Sequence, residues 1–143
     1  MTTASQIIIN VPGVLYRVGQ RLGGDGLWYD KNGNYTGKIH KLKEGKAGLL
    51  PMGAHPIFNS DNQQWVSTTD SIEMLRNWFS ETDMVELLQQ DYKVVKIHVN
   101  GYRRFDFDFG DVKYSHEVCS KEQVVGLNVI DPRILYPDLA KRL

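Results

Sequence analysis

The chain is predicted to fold as a single α+β domain. Three observations point there. Strand-like runs of β-branched and apolar residues occupy both ends, and helical signals are confined between Asp70 and Gln90. Strands and helices also do not alternate as a βαβ repeat would require. The 143 residues hold no internal repeat and no Pro/Gly/Ser-rich linker, so 1–143 is taken as one domain with its core over about 13–135.

Residues 6–18 are β-branched and apolar around Pro12-Gly13, which predicts two short strands or an arm leading into one. Within Gly13–Val18, alternation puts Leu15 and Arg17 on one face, with Val14, Tyr16 and Val18 on the other. Residues 19–53 hold most of the thirteen glycines. Gly23-Gly24-Asp25-Gly26 and Lys31-Asn32-Gly33-Asn34 are turn chemistry around an apolar island, Leu27-Trp28-Tyr29. That composition predicts a mobile covering loop anchored by Trp28 and Tyr29.

Trp65 to Thr69 reads as a short strand ending in Ser67-Thr68-Thr69. Thr69 or Asp70 then caps a helix whose apolar face is Ile72, Leu75, Trp78 and Phe79. Ser80-Glu81-Thr82-Asp83 is a capping-box variant opening a second short helix with Met84, Leu87 and Leu88 inward. Tyr92 to Val99 is a strand, and Asn100-Gly101 is the strongest hairpin signal in the chain. Phe105, Phe107 and Phe109 alternate with polar residues, as a half-buried strand does. Val124 to Ile130 is the last strand, closed by Asp131-Pro132.

Composition narrows the function classes. Seventeen basic and seventeen acidic side chains balance, so no surplus cation favours nucleic acid, although Lys38, His40, Lys41, Lys43 and Lys46 cluster locally. No apolar run is long enough to span a membrane, and the first residues lack the layout of a secretion signal. Cys119 is the single cysteine, which excludes a disulfide framework and points to a reducing cytoplasm. The four histidines have no metal-ligand spacing, so no metal is expected. No phosphate loop, dinucleotide fingerprint or nucleophile elbow is present. Cys119 with His116 is the one thiol–base pairing available, and a core role competes with it.

Three short motifs in order carry a resemblance: Arg17 within Leu15-Tyr16-Arg17, Ser67-Thr68-Thr69 before a short helix, and Glu122 before Gln123-Val124-Val125. Together with the strand Val94 to Val99 they resemble the arginine-serine-glutamate type of ADP-ribosyltransferase. The resemblance implies a split β-sheet core with two short helices and the Gly-rich covering loop. It also implies NAD as substrate and transfer of ADP-ribose to a host protein or nucleic acid. Arg17 would hold the pyrophosphate with its planar cationic fork, helped by Thr68. Glu122 would stabilise the oxocarbenium-like ribose, with Ser67 orienting it and Trp28, Tyr29 or Phe79 stacking on nicotinamide. On this reading Arg17, Ser67 and Glu122 line one cleft; any two of these side chains on opposite faces would end the transferase reading, and a Glu122 facing solvent alone would end the enzyme reading.

Each residue also has a plainer reading. Arg17 can be a snorkelling strand residue, Ser67-Thr68-Thr69 a helix cap and Glu122 an exposed charge. Protein-modifying members of the class usually place a second Glu or Gln two residues before the catalytic Glu. Ser120 stands there instead, which puts arginine modification in doubt. Leu15-Tyr16-Arg17, Gly26 to Asp30 and Trp78-Phe79-Ser80 also resemble small bacteriophage and prophage proteins, which implies host takeover or counter-defence in a bacterial cytoplasm. Two alternatives therefore stay open. One is a non-enzymatic inhibitor binding a host or defence protein by its surface. The other is a protein that sequesters ADP-ribose-derived signal nucleotides.

Overall fold

The computed structural model describes residues 3–19, 65–108 and 113–143. Trp28, Tyr29 and nearly all of the glycine-rich stretch lie outside the described residues. Among the described residues seven strands and two α-helices are seen, an α+β domain as the pattern predicts. The strands are β1 (Thr3–Ile9), β2 (Gly13–Gly19), β3 (Trp65–Thr68), β4 (Lys93–Val99), β5 (Tyr102–Asp108), β6 (Lys113–Ser120) and β7 (Val124–Ile130). Helices α1 (Ile72–Trp78) and α2 (Glu81–Gln89) fall between β3 and β4.

Two antiparallel sheets form, ordered β1-β5-β6-β3 and β2-β4-β7. Among the described residues one bridge joins them: Tyr16 N–H donates to the Thr69 carbonyl at 2.7 Å, and Thr69 N–H to the Tyr16 carbonyl at 2.9 Å. Beyond that bridge β2 continues with β4 and β3 with β6, so the two sheets stay separate. Leu15, Val95, Ile97 and Val99 from one sheet meet Val66 and Cys119 from the other, forming a core between the inner faces. The opposite face of the β2-β4-β7 sheet presents Val18 and Val94 to the helices, packing with Leu75, Trp78, Phe79, Met84 and Leu87.

Ser71, not Thr69 or Asp70, caps α1: its side chain accepts from Met74 N–H at 3.1 Å. The backbone of Thr69 is committed to the bridge with Tyr16, so the helix can open only after it. Ser80 and Asp83 form the reciprocal capping box at α2, at 3.1 and 3.2 Å. Ser80→Ala is expected to lower stability by ~1 kcal/mol, measured by denaturant unfolding, because one helix-end N–H loses its acceptor.

The hairpin expected at Asn100-Gly101 does not form. Strand β4 already has β2 on one edge and β7 on the other, leaving no edge for β5. The tight turn instead carries the chain across to the other sheet, where β5 lies between β1 and β6. Glycine is needed there for close approach. A Cβ at Gly101 would lie 3.0 Å from the Ile9 carbonyl oxygen and 3.3 Å from Gln123 Nε2.

The C-terminal residues lock the helices down. Arg76 donates to the carbonyls of Leu135 at 2.7 Å and Ile134 at 3.0 Å, and the Tyr136 hydroxyl donates to the Phe79 carbonyl at 2.6 Å. Leu135 and Leu139 are fully buried against this cluster. Among the described residues no helix is long and apolar enough to cross a membrane.

Candidate functional site

Strand register places the chemistry. Thr68 pairs with Glu117, and Glu117 pairs with Arg104 on its other side. The Tyr16–Thr69 bridge, carried one residue further, sets Arg17 beside Thr68. Directly opposed residues of antiparallel strands share a face. Arg17, Thr68, Glu117 and Arg104 therefore form one transverse row over four adjacent strands, beside the bridge. They share parity with Leu15, Val66 and Cys119, the residues of the inner core. Arg17 partly offsets the burial of the Cys119 thiol, which sets its charge toward β6.

Glu117 is the unusual member. Its side chain has no exposed surface, and neither carboxylate oxygen has a hydrogen-bond partner of ordinary geometry. Arg104 does not close on it, because its Nε donates along its own strand to Asp106 Oδ1 at 3.0 Å. Burial pushes the Glu117 carboxyl up to about 7, and the Asp70 charge adds to the rise. The Ser115 hydroxyl, Arg104 and the Asp70 backbone oppose the rise without cancelling it. Tyr102 sits in the same electrostatic neighbourhood: burial, then Asp70 and Glu117, push its hydroxyl up. Thr68 is fixed by donating its hydroxyl to the Glu117 carbonyl at 2.8 Å.

A buried carboxylate whose partners offset only part of its burial costs stability. Its folded value of about 7 lies above the ordinary 4.5, so the folded state holds the proton more tightly. Stability from this group is complete below the ordinary value and is lost as pH rises through the folded one. The total loss is at most roughly 3 kcal/mol, since a tenfold change in proton affinity is worth about 1.4 kcal/mol. Thermal unfolding followed at pH 5 and pH 8 should therefore show a falling Tm, and Glu117→Gln should flatten that dependence.

The sequence-predicted residues do not all meet. Arg17 and Thr68 belong to the row. Ser67 points to the other face of its sheet, where its hydroxyl is 2.8 Å from His116 Nε2. Phe79 is buried in the helix-side cluster, on the face of the β2-β4-β7 sheet away from Arg17. Glu122 lies on the 3-10 turn Lys121–Gln123, exposed to solvent, and the strand begins after it at Val124. With Glu122 exposed and Ser67 facing away from Arg17, a transferase built on Arg17, Ser67 and Glu122 fails its own test. Gln123 next to it has a structural task, accepting from Ser120 N–H at 3.0 Å.

Cys119 and His116 do not pair either. Separated by three positions on one strand, they face opposite sides of the sheet, and burial pushes the Cys119 thiol up to about 11. A thiol so protonated is no nucleophile at neutral pH.

Sequence reasoning misses Glu117 because β6 does not read as a strand. Ser115-His116-Glu117-Val118-Cys119-Ser120 has only two apolar residues and no clean alternation. One signal that could have found it is an ionisable residue directly before Val118-Cys119, since an acid inside a buried segment is seldom there for packing. Among the described residues no group of three or more His, Cys, Asp or Glu side chains is placed to hold a metal ion. Compared with family models, with curated proteins and with solved structures, the chain matches none at a significant level.

Proposed function

We propose that this protein binds NAD between its two sheets and transfers ADP-ribose to a macromolecule of a bacterial host. The observation that carries the reading is the Arg17–Thr68–Glu117 row: a cation, a hydroxyl and an unsolvated carboxylate on three successive strands. Their order along the chain is that of the arginine-serine-glutamate resemblance, with Thr68 and Glu117 standing where the sequence suggested Ser67 and Glu122.

Each residue has a physical task. The Arg17 guanidinium presents a planar charged fork to the pyrophosphate. Glu117, ionised, faces the C1′ of the nicotinamide ribose. As the C1′–nitrogen bond breaks, its electron pair leaves with neutral nicotinamide, and positive charge develops on the ribose. A carboxylate held out of water stabilises that charge far better than an exposed one would. The acceptor then bonds to C1′ and gives up its proton. Because Glu117 has no exposed surface, substrate reaches it only by parting the sheets beside the bridge.

Ser115 stands two residues before Glu117, so this strand carries no second carboxylate to activate an acceptor. That favours, as a second reading, a pocket that holds ADP-ribose-derived nucleotides without transferring them. Incubation with NAD labelled in its adenylate part and a bacterial lysate separates the two. Label on protein or nucleic acid supports transfer, whereas saturable binding of ADP-ribose without label transfer supports sequestration. No binding of either nucleotide at millimolar concentration ends both.

A further inference from the structure

We propose that Ser67 and His116 form a second chemical site, a nucleophile and its general base, which hydrolyses esters whose acyl part carries a negative charge. The pair lies on the face of the β1-β5-β6-β3 sheet opposite the one that carries Thr68 and Glu117, and it stands independently of the NAD reading. Of the Ser67-Thr68-Thr69 run, Thr68 belongs to the row and Thr69 to the bridge, which leaves Ser67 without a task there.

Register brings the two groups together. Ser67 lies opposite Val118, so His116 is its diagonal neighbour on the same face. Ser67 Oγ is 2.8 Å from His116 Nε2. Ser67 is partly open to solvent, while His116 behind it is 1% exposed. A hydroxyl within hydrogen-bond reach of an imidazole is the arrangement that activates serine. His116 stands opposite Phe105 in the β5–β6 register, and Phe105 and Val118 are both buried, so the ring has little room to swing away.

Strand β3 adds an oxyanion donor. Thr69 directs both its backbone groups to Tyr16 of β2. Successive residues of an antiparallel strand direct those groups to alternate sides. Two residues earlier, the Ser67 N–H therefore points to that same edge, away from β6. Among the described residues no strand pairs with β3 at Ser67 on that side. An N–H there can donate to the oxygen of a carbonyl that the Ser67 hydroxyl attacks.

Arg103 sets the substrate class. It lies opposite Val118 from the β5 side, and so shares the face of Ser67. Its guanidinium is 4.8 Å from the centroid of the Trp65 ring, which brings it across β6 toward β3. Trp65 is the same-face neighbour of Ser67, about 7 Å along the strand. Among the described residues no carboxylate pairs with Arg103, and its contact with the neutral Gln6 Oε1 is long, at 3.4 Å. A cation held by an aromatic ring and lacking an anion fits a carboxylate on the acyl part of a substrate.

The Ser67 oxygen bonds to the ester carbon, and its proton passes to His116 Nε2. The tetrahedral oxyanion then collapses, the bond to the leaving alcohol breaks, and His116 returns the proton to that alcohol. Water repeats the sequence on the acyl-Ser67 ester and releases the acid.

Two probes test the proposal on the intact chain. A biotinylated fluorophosphonate should modify folded wild type at Ser67, read by peptide mass spectrometry, as the Ser67 oxygen bonds to phosphorus and fluoride leaves. Ser67→Ala and urea-unfolded wild type should take up no label, and His116→Gln should react about 100-fold more slowly. Should His116→Gln fail to fold, Ser67→Cys answers the same question. Its thiol beside the imidazole should react with iodoacetamide at pH 6 about tenfold faster than free cysteine does. Hydrolysis should favour 4-nitrophenyl glutarate, which carries a free carboxylate, over 4-nitrophenyl butyrate, and Arg103→Ala should cut that preference about tenfold. Four outcomes would overturn the proposal: no fluorophosphonate adduct on wild type, an adduct mapped to another residue, labelling of folded His116→Gln at the wild-type rate, or equal hydrolysis of the two esters. A Ser67 that only satisfies the hydrogen bonding of His116 gives the first of these.

Discussion

Glu117→Gln is expected to abolish ADP-ribosyl transfer while making the protein more stable at pH 8. The substitution keeps the shape and removes the negative charge, which on the proposed function acts on the transition state and little on the bound substrate. Losing one such contact lowers a rate by about 10²–10³. The stability gain has the same cause. Wild type carries a charge with no exposed surface and no hydrogen-bond partner of ordinary geometry, and a neutral amide is cheaper to bury. The gain should be largest above the Glu117 value of about 7 and vanish near pH 4.5. Wild-type activity should rise about tenfold per pH unit below that value and level off above it. A Glu117→Gln protein with full activity, or one less stable than wild type at pH 8, would remove Glu117 from the mechanism. Glu122→Gln is the control, and it should leave activity unchanged because its side chain stands in solvent away from the row.

Arg17→Ala should weaken substrate binding more than it slows the chemical step. On the proposed function its partner is the pyrophosphate, which is present before and during reaction, so the loss would be uniform and appear in KM. One charge-assisted contact is worth about 1.5–3 kcal/mol, which corresponds to a KM raised roughly ten- to a hundredfold. Arg17→Lys should recover part of the loss, because the charge returns without the planar fork. Steady-state kinetics with varied NAD, alongside calorimetric binding of ADP-ribose, distinguish the outcomes. An unchanged KM in Arg17→Ala would make Arg17 a packing residue of the inner core.

Local physics made much of the fold legible in the sequence. The Ser80–Asp83 box sets the start of α2, and the apolar spacing of Leu75 and Trp78 identifies the buried side of α1. Alternation in Gly13–Val18 correctly sets Arg17 on the face of Leu15, and Pro12-Gly13 separates β1 from β2. These features depend on residues within a few positions of one another, where backbone sterics and capping act directly. Thr68 too sits at the strand end that the pattern predicts.

Pairing partners decided the rest. Asn100-Gly101 has the chemistry of a hairpin, yet both edges of β4 are taken by β2 and β7, and no local pattern encodes that competition. Ser67 and Thr68 look interchangeable in a run of hydroxyl residues, and only the register with β6 sends Thr68 inward and Ser67 toward His116. Glu117 and Glu122 lie five positions apart in the chain. One is the middle of a four-strand sheet and the other a turn in solvent, because β6 is enclosed by β5 and β3 while the turn after it lies beyond the paired strands. Residue type sets what a carboxylate can do. Long-range strand pairing sets how dry it is, and dryness is what turns Glu117 from an ordinary acid into one poised near neutrality.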